Sequence, residues 1–125
     1  MPTPKFYITT AIDYANGVPH IGHAYEKILA DAIARFKRCA GYGVHFLTGT
    51  DEYGLKMSQT ALLNKLLPTD LADKNALAFR HMSDALNISY NDFVRTTEPR
   101  HHKTAINLWN SLKANGDIYK SLYTG

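Results

Sequence analysis

The chain has 125 residues, 45% of them hydrophobic, and a formal net charge of +3. That length suits one compact α/β unit with a real core, and the charge is too mild to argue by itself for nucleic-acid binding. No apolar run reaches membrane-spanning length and no basic segment precedes an apolar signal core at the N-terminus, so a cytoplasmic location without membrane contact is expected.

Phe6-Tyr7-Ile8-Thr9-Thr10-Ala11-Ile12 is aromatic and β-branched and predicts a strand over about residues 5–12. A helix from about 20 to 40 follows, with Ile21, Tyr25, Ile28, Leu29, Ala32, Ile33 and Phe36 recurring at helical spacing as one apolar stripe toward the core. Lys27, Lys37 and Arg38 are placed on its solvated face. Cys39, the single cysteine, is placed half-buried near its end, and it excludes an internal disulfide and a cysteine-based zinc knuckle within this chain. Between strand and helix stands His20-Ile21-Gly22-His23. Both histidines then sit in the first helical turn, beside unpaired backbone N–H groups and the positive end of the helix dipole, a position that favours a phosphate. Gly22 removes a side chain between them, so a flat ring or a phosphate can approach the backbone. A histidine near a helix start is more often a cap or a surface residue; the strand–loop–helix setting favours a ligand site.

Val44-His45-Phe46-Leu47-Thr48-Gly49-Thr50-Asp51-Glu52-Tyr53-Gly54 predicts a second strand near 44–50, ending in two carboxylates and a glycine. If the two strands are parallel neighbours, Asp51 faces the crevice that His20 and His23 border. There it offers a fixed negative charge to a substrate ammonium, or serves as a turn carboxylate. Helices are predicted from about 55 to 66 and from 68 to 86, then a short strand near 92–96. Thr97-Glu98-Pro99 starts a further helix that carries Ile106, Trp109 and Leu112 inward and ends at Asn115-Gly116, and 118–123 reads as a strand leaving the fold. The alternation argues for a parallel sheet wound by helices. His101 and His102 are adjacent, without metal-ligand spacing, and His81 is remote, so no metal site is assigned.

Taken together, these segments resemble the start of a class I aminoacyl-tRNA synthetase, and within that class the methionyl-tRNA synthetases. The resemblance rests on Phe6-Tyr7-Ile8-Thr9-Thr10, on His20-Ile21-Gly22-His23 with Ala24-Tyr25, and on Phe46-Leu47-Thr48-Gly49-Thr50-Asp51-Glu52. Asp92-Phe93-Val94-Arg95-Thr96-Thr97-Glu98 and Gly116-Asp117-Ile118-Tyr119 extend it across nearly the whole chain. It implies an α/β fold, residues 1–125 being the first half of a Rossmann-like nucleotide-binding domain with helices on both faces. The connective insertion, the second half and the anticodon-binding domain would lie outside this chain.

The implied chemistry is activation of methionine by ATP, with magnesium assisting, to methionyl-adenylate, followed by transfer to tRNA(Met). By resemblance His20 and His23 donate hydrogen bonds to developing phosphate charge, and Gly22 leaves room for adenine. Asp51 holds the substrate ammonium, Ala11 and Ile12 line the methionine side chain, and Tyr14 closes over it. Ala11 and Ile12 read equally well as ordinary strand core. Any zinc of the parent would sit in an insertion outside this chain. Tyr53 stands where many members have histidine, and Asp13 where relatives often show tyrosine or proline, which suggests a third carboxylate near the entrance. Lys56-Met57-Ser58-Gln59 mimics the family's second ATP motif but opens a helix directly after Gly54, with Met57 and Ala61 toward the core, and is not read as the catalytic loop. On this reading the isolated chain is inactive. Two alternatives stand beside it: a small nucleotidyltransferase using the same H-x-G-H motif, and a non-catalytic binding module whose uncovered apolar face promotes self-association.

Overall fold

The computed structural model describes residues 2–122. Its elements run β1 (Lys5–Tyr14), α1 (Ile21–Cys39), β2 (Gly43–Asp51), α2 (Leu55–Leu63), α3 (Pro68–Ala85), β3 (Asp92–Arg95) and α4 (Pro99–Ala114). The strands form one sheet in the order β1-β2-β3, with both neighbouring pairs parallel. Parallel neighbours cannot be joined by a tight turn, so α1 and the α2–α3 pair serve as crossovers. All C-terminal strand ends therefore share one edge, where Tyr14 pairs in register with Asp51.

Two local features set that edge. In β1, the pairing shifts between Thr9 and Ile12, and the buried positions move from Thr10 to Asp13. The extra residue of this bulge leaves Ala11 and Ile12 both exposed. In β2, a Cβ on Gly49 would stand 2.0 Å from the Val94 carbonyl oxygen, so the close approach of β3 requires glycine there.

Apolar burial falls into two clusters. Ala30, Ala34, Phe46 and Ile88 pack with Ile8, Val44 and Tyr90, while Ala15 meets Met57, Ala61, Leu71 and Ala72. Met57 and Ala61 thus face the core, as expected. The opposite sheet face carries Tyr7 and His45, exposed and stacked with ring centroids 5.7 Å apart.

The orientation of α1 is the main correction to the sequence reading. Ile21, Tyr25, Ile28, Leu29, Ala32, Ile33 and Phe36 are all exposed, and the buried residues are Ala24, Lys27, Ala30, Asp31 and Ala34. Three alanines let the helix settle closely on the sheet, and the two charged residues find full sets of partners there. Lys27 is completely buried rather than solvated: its Nζ donates to Asp13 Oδ2 at 2.5 Å and to Thr48 Oγ1 at 3.0 Å. Asp31 accepts from the Ser89 amide at 2.8 Å and from Arg35 Nε at 2.6 Å. Burial pushes the Asp31 carboxyl up, but the hydrogen bonds from Ser89 and Arg35 outweigh it and hold the group below its ordinary value. Arg38 is likewise engaged, donating to the Ser89 carbonyl at 2.9 Å and to Asn91 Oδ1 at 3.1 Å, and Lys37 Nζ stands 4.9 Å from the Phe6 ring centroid. Cys39 is exposed, not half-buried.

α4 also departs from expectation. Ile106, Trp109 and Leu112 are exposed, and the helix buries none of its residues. An apolar stripe marks the face that would be buried if a partner were present; it does not supply the partner. Polar contacts at the first turn hold the helix, with Arg100 Nη1 and Nη2 donating to the Asp92 carboxylate at 2.6 and 2.9 Å. Residues 118–122 form no strand, because a strand exists only within a ladder and these residues pair with none among those described. Tyr123 lies outside the described residues. Among the described residues no helix is long and apolar enough to cross a membrane.

Candidate active site

The first helical turn of α1 is closed by its two histidines. His20 is the N-cap, with extended backbone, and its Nδ1 accepts the Gly22 amide at 3.1 Å. His23 Nδ1 accepts the His20 amide, also at 3.1 Å. This is a reciprocal capping box in which imidazoles replace the usual hydroxyl and carboxylate. With Nδ1 committed to backbone N–H groups, each neutral ring carries its proton on Nε2, which remains a donor. The rings stack with centroids 3.8 Å apart, and His23 meets Phe79 of α3 edge-on at 5.0 Å. A Cβ on Gly22 would lie 3.0 Å from His20 Cε1, so the glycine lets the His20 ring fold back over the turn. Burial lowers the His23 pKa, with Asp13 opposing that shift, so the ring is neutral at pH 7.

One helical turn on from His23, Lys27 belongs to a buried polar chain. Asp13 pairs with Lys27, Lys27 reaches Thr48, and Thr48 Oγ1 shares a 2.7 Å hydrogen bond with Thr10 Oγ1. Asp13 is 5% exposed and is therefore not a carboxylate at the entrance. Its partner was legible in principle: His23, Lys27, Ala30 and Ala34 share one helical face at spacings of four, three and four.

At the neighbouring strand end, Tyr14, Asn16, Asp51, Tyr53, Gly54 and Lys56 contribute to the lining of an open cleft of about 530 Å³. Asp51 is half-buried, and its Oδ1 accepts the Tyr53 amide at a long 3.4 Å. The turn-carboxylate role and the cleft position therefore coexist. Gly54, at φ 122°, occupies backbone that favours glycine and leads into α2.

Glu52 was not singled out from the sequence, and it is the most heavily bonded group of this turn. Its fully buried carboxylate accepts from Arg95 Nε at 2.6 Å and Nη2 at 3.0 Å, from Thr50 Oγ1 at 2.8 Å and from Thr97 Oγ1. Its amide donates to Thr96 Oγ1 at 2.9 Å. Arg95 also donates to Asp73 at 2.5 Å, and hydrogen bonding to Glu52 is the largest cause of its raised pKa. The signal was adjacency: at a strand end successive side chains face opposite ways, so a cleft-facing Asp51 sends Glu52 inward to a cation.

The structure thus brings Tyr14 and Asp51 together in the cleft lining. His20, Gly22 and His23 form the capped helix start nearby but do not line that cleft, and Ala11 and Ile12 lie exposed at the β1 bulge, also outside it. Among the described residues no three His, Cys, Asp or Glu side chains are grouped to hold a metal ion.

A family profile described as "tRNA synthetases class I (M)" matches residues 6–125. The chain is 55% identical over 125 residues to the methionine–tRNA ligase of Brucella suis, covering all of this chain and 24% of that protein. Its fold matches Mycobacterium tuberculosis methionyl-tRNA synthetase in complex with methionyl-adenylate at a TM-score of 0.95 and 51% identity, covering 99% of this chain and 24% of that one. A ternary complex of LeuRS, tRNA and LeuAMS from Agrobacterium radiobacter K84 matches at 0.88 and 26% identity, over 95% of this chain and 16% of that chain. The chain spans about a quarter of the length of the methionine enzymes it matches. With the histidine-capped helix start and the profile match running through nearly every residue, the chain belongs to the class I tRNA synthetases of group M.

Proposed function

We propose that this chain is the N-terminal catalytic-core segment of a methionyl-tRNA synthetase, residues 1–125 forming the first half of its Rossmann-like domain. The observation that carries this reading is the imidazole capping box at the start of α1, the helix that follows β1, whose last residue Tyr14 pairs in register with Asp51. A carboxylate oxygen of methionine attacks the α-phosphorus of ATP; the new P–O bond forms as the bond to the bridging oxygen breaks, and pyrophosphate leaves. The Nε2–H groups of His20 and His23 are donors already oriented by the backbone, and they stabilise charge on the phosphate oxygens without reorganisation. Asp51 holds the ammonium of methionine and Tyr14 covers the cleft, while Ala11 and Ile12, exposed at the bulge outside the cleft lining, would offer apolar contact only to a side chain that reaches beyond it. A ribose hydroxyl of the terminal adenosine of tRNA(Met) then attacks the methionyl carbonyl carbon, the new ester bond forms as the bond to the adenylate oxygen breaks, and AMP leaves. Magnesium, carried by the triphosphate, would supply positive charge to the phosphate oxygens.

Methionine-dependent exchange of pyrophosphate into ATP tests this reading. The full-length synthetase that carries this segment should catalyse it, with His20→Ala reducing the rate at least about 100-fold, the scale of losing one preorganised donor, and Asp51→Ala reducing it by about 100-fold, the scale of removing one partner of a charge pair. The isolated chain should not catalyse it, because triphosphate binding needs both halves of the domain. Robust exchange by the isolated chain would overturn the half-site reading; no exchange by the full-length protein would overturn the assignment.

A second reading is favoured by the uncovered apolar face of α1, where Ile28, Leu29, Ile33 and Phe36 are exposed. As an isolated polypeptide the chain would self-associate through such a face. Concentration-dependent sedimentation would reveal it, and a monomer at all concentrations would dismiss it.

A further inference from the structure

Asp51 and Glu52 are consecutive, one half-buried at the cleft and the other sealed inside. A single peptide group joins them, and both of its ends are held. Its carbonyl, that of Asp51, accepts the Ala15 amide at 2.9 Å, and its N–H, that of Glu52, donates to Thr96 Oγ1 at 2.9 Å. The peptide plane is thereby fixed between the end of β1 and the residue after β3. The Asp51 side chain itself has only the long 3.4 Å contact with the Tyr53 amide, so its direction depends on the backbone beneath it.

We infer that Glu52 is a positioning residue that aims the Asp51 carboxylate at the ammonium group of the amino-acid substrate, through the clamp it forms with Arg95, Thr96 and Thr97. The inference rests on the function proposed above. The two-pronged bond from Arg95 Nε and Nη2 fixes the Glu52 carboxylate in angle as well as distance, which a single contact would not do. Thr50 and Thr97 bind the same carboxylate from β2 and from the segment after β3, so the turn cannot tilt without breaking bonds to both strands. A small displacement of a binding group suffices to cost substrate recognition.

The test uses the full-length synthetase carrying this segment. Glu52→Gln is expected to raise KM for methionine about tenfold while KM for ATP changes less than about twofold. Inhibition by 4-(methylsulfanyl)butanoate, which is methionine without its ammonium group, should be unchanged. In an Asp51→Asn background, Glu52→Gln should add less than about twofold, since it acts through a group already removed. Arg95→Lys keeps the charge but loses the two-pronged geometry; it should raise KM for methionine about threefold and show the same non-additivity, and it carries the test if Glu52→Gln does not fold. Equal weakening of methionine, ATP and the desamino analogue, full additivity with Asp51→Asn, or an unchanged KM for methionine would each overturn the positioning role. An unsubstituted enzyme with no methionine-dependent exchange would overturn the proposed function, and the positioning role with it.

Discussion

Lys27 Nζ lies 2.5 Å from Asp13 Oδ2, and the two side chains are 0% and 2% exposed, so a complete ion pair is enclosed between α1 and β1, one helical turn on from His23. Thr48 supplies the lysine with a second acceptor. A charge removed from water is tolerated only when paired and hydrogen-bonded, which explains how a lysine can replace an apolar residue at the helix–sheet contact.

Removing one partner should therefore cost more than removing both. Asp13→Asn is expected to destabilise the chain by about 3 kcal/mol, because it strands a buried ammonium, whereas Asp13→Leu with Lys27→Met should recover most of that loss. Urea unfolding of the two variants against the parent checks the ordering; equal losses would mean that water reaches the pair.

The capped helix start should lose stability in acid. Burial lowers the folded-state pKa of His23 below its ordinary value of 6.5. The unfolded chain thus binds the proton first, and the stabilisation present above pH 6.5 is lost as pH falls from there through the lowered folded value. Protonating Nδ1 would also break the hydrogen bond from the His20 amide. Nitrogen-15 imidazole shifts should report the Nε2–H form for both neutral rings and a titration of His23 on the acid side of free histidine. A titration above that of free histidine would contradict the burial argument.

Gly49→Ala should separate β2 from β3. Its Cβ would fall 2.0 Å from the Val94 carbonyl oxygen and 2.7 Å from Val94 Cγ1, and the backbone atom has nowhere to move without losing the ladder. A loss of about 3 kcal/mol or more is expected, at or beyond the upper end of overpacking penalties. Thermal unfolding measures it.

The two faces of α1 should respond oppositely. Replacing exposed Ile28 or Ile33 with Gln should change stability by less than about 0.5 kcal/mol and improve solubility. Ala34→Leu on the fully buried face should cost about 1–3 kcal/mol by overpacking. Denaturant midpoints for these three variants give the orientation of the helix in solution.

Tyr53 Oη lies 2.7 Å from His102 Nε2 and ties the Asp51 turn to α4, a helix that buries no residue of its own. Tyr53→Phe should leave global stability within about 0.5 kcal/mol but raise amide exchange in the first turns of α4 severalfold, since low-stability elements open locally. Unchanged exchange would mean that Arg100 and Asp92 alone hold the helix.

Local chemistry was readable where a residue's own backbone decides its state. The β-branched runs, the helix boundaries at Pro99 and at Asn115-Gly116, the histidine pair at a helix start and the family resemblance all lie in the order of residues. So does the expectation that parallel crossovers bring the ends of β1 and β2 to one edge, because no tight turn joins parallel strands. Burial was not readable in the same way. The apolar stripes of α1 and α4 predict an inward face only if something covers that face, and here three alanines with Lys27 and Asp31 turn α1 the other way. The bulge that exposes both Ala11 and Ile12, and the Glu52 clamp that joins two distant runs, depend on strand register and on partners 43 to 45 residues away. Periodicity describes one segment at a time, whereas the enclosure of a charge or the choice of a buried face is a difference between competing contacts that exist only once the segments have met.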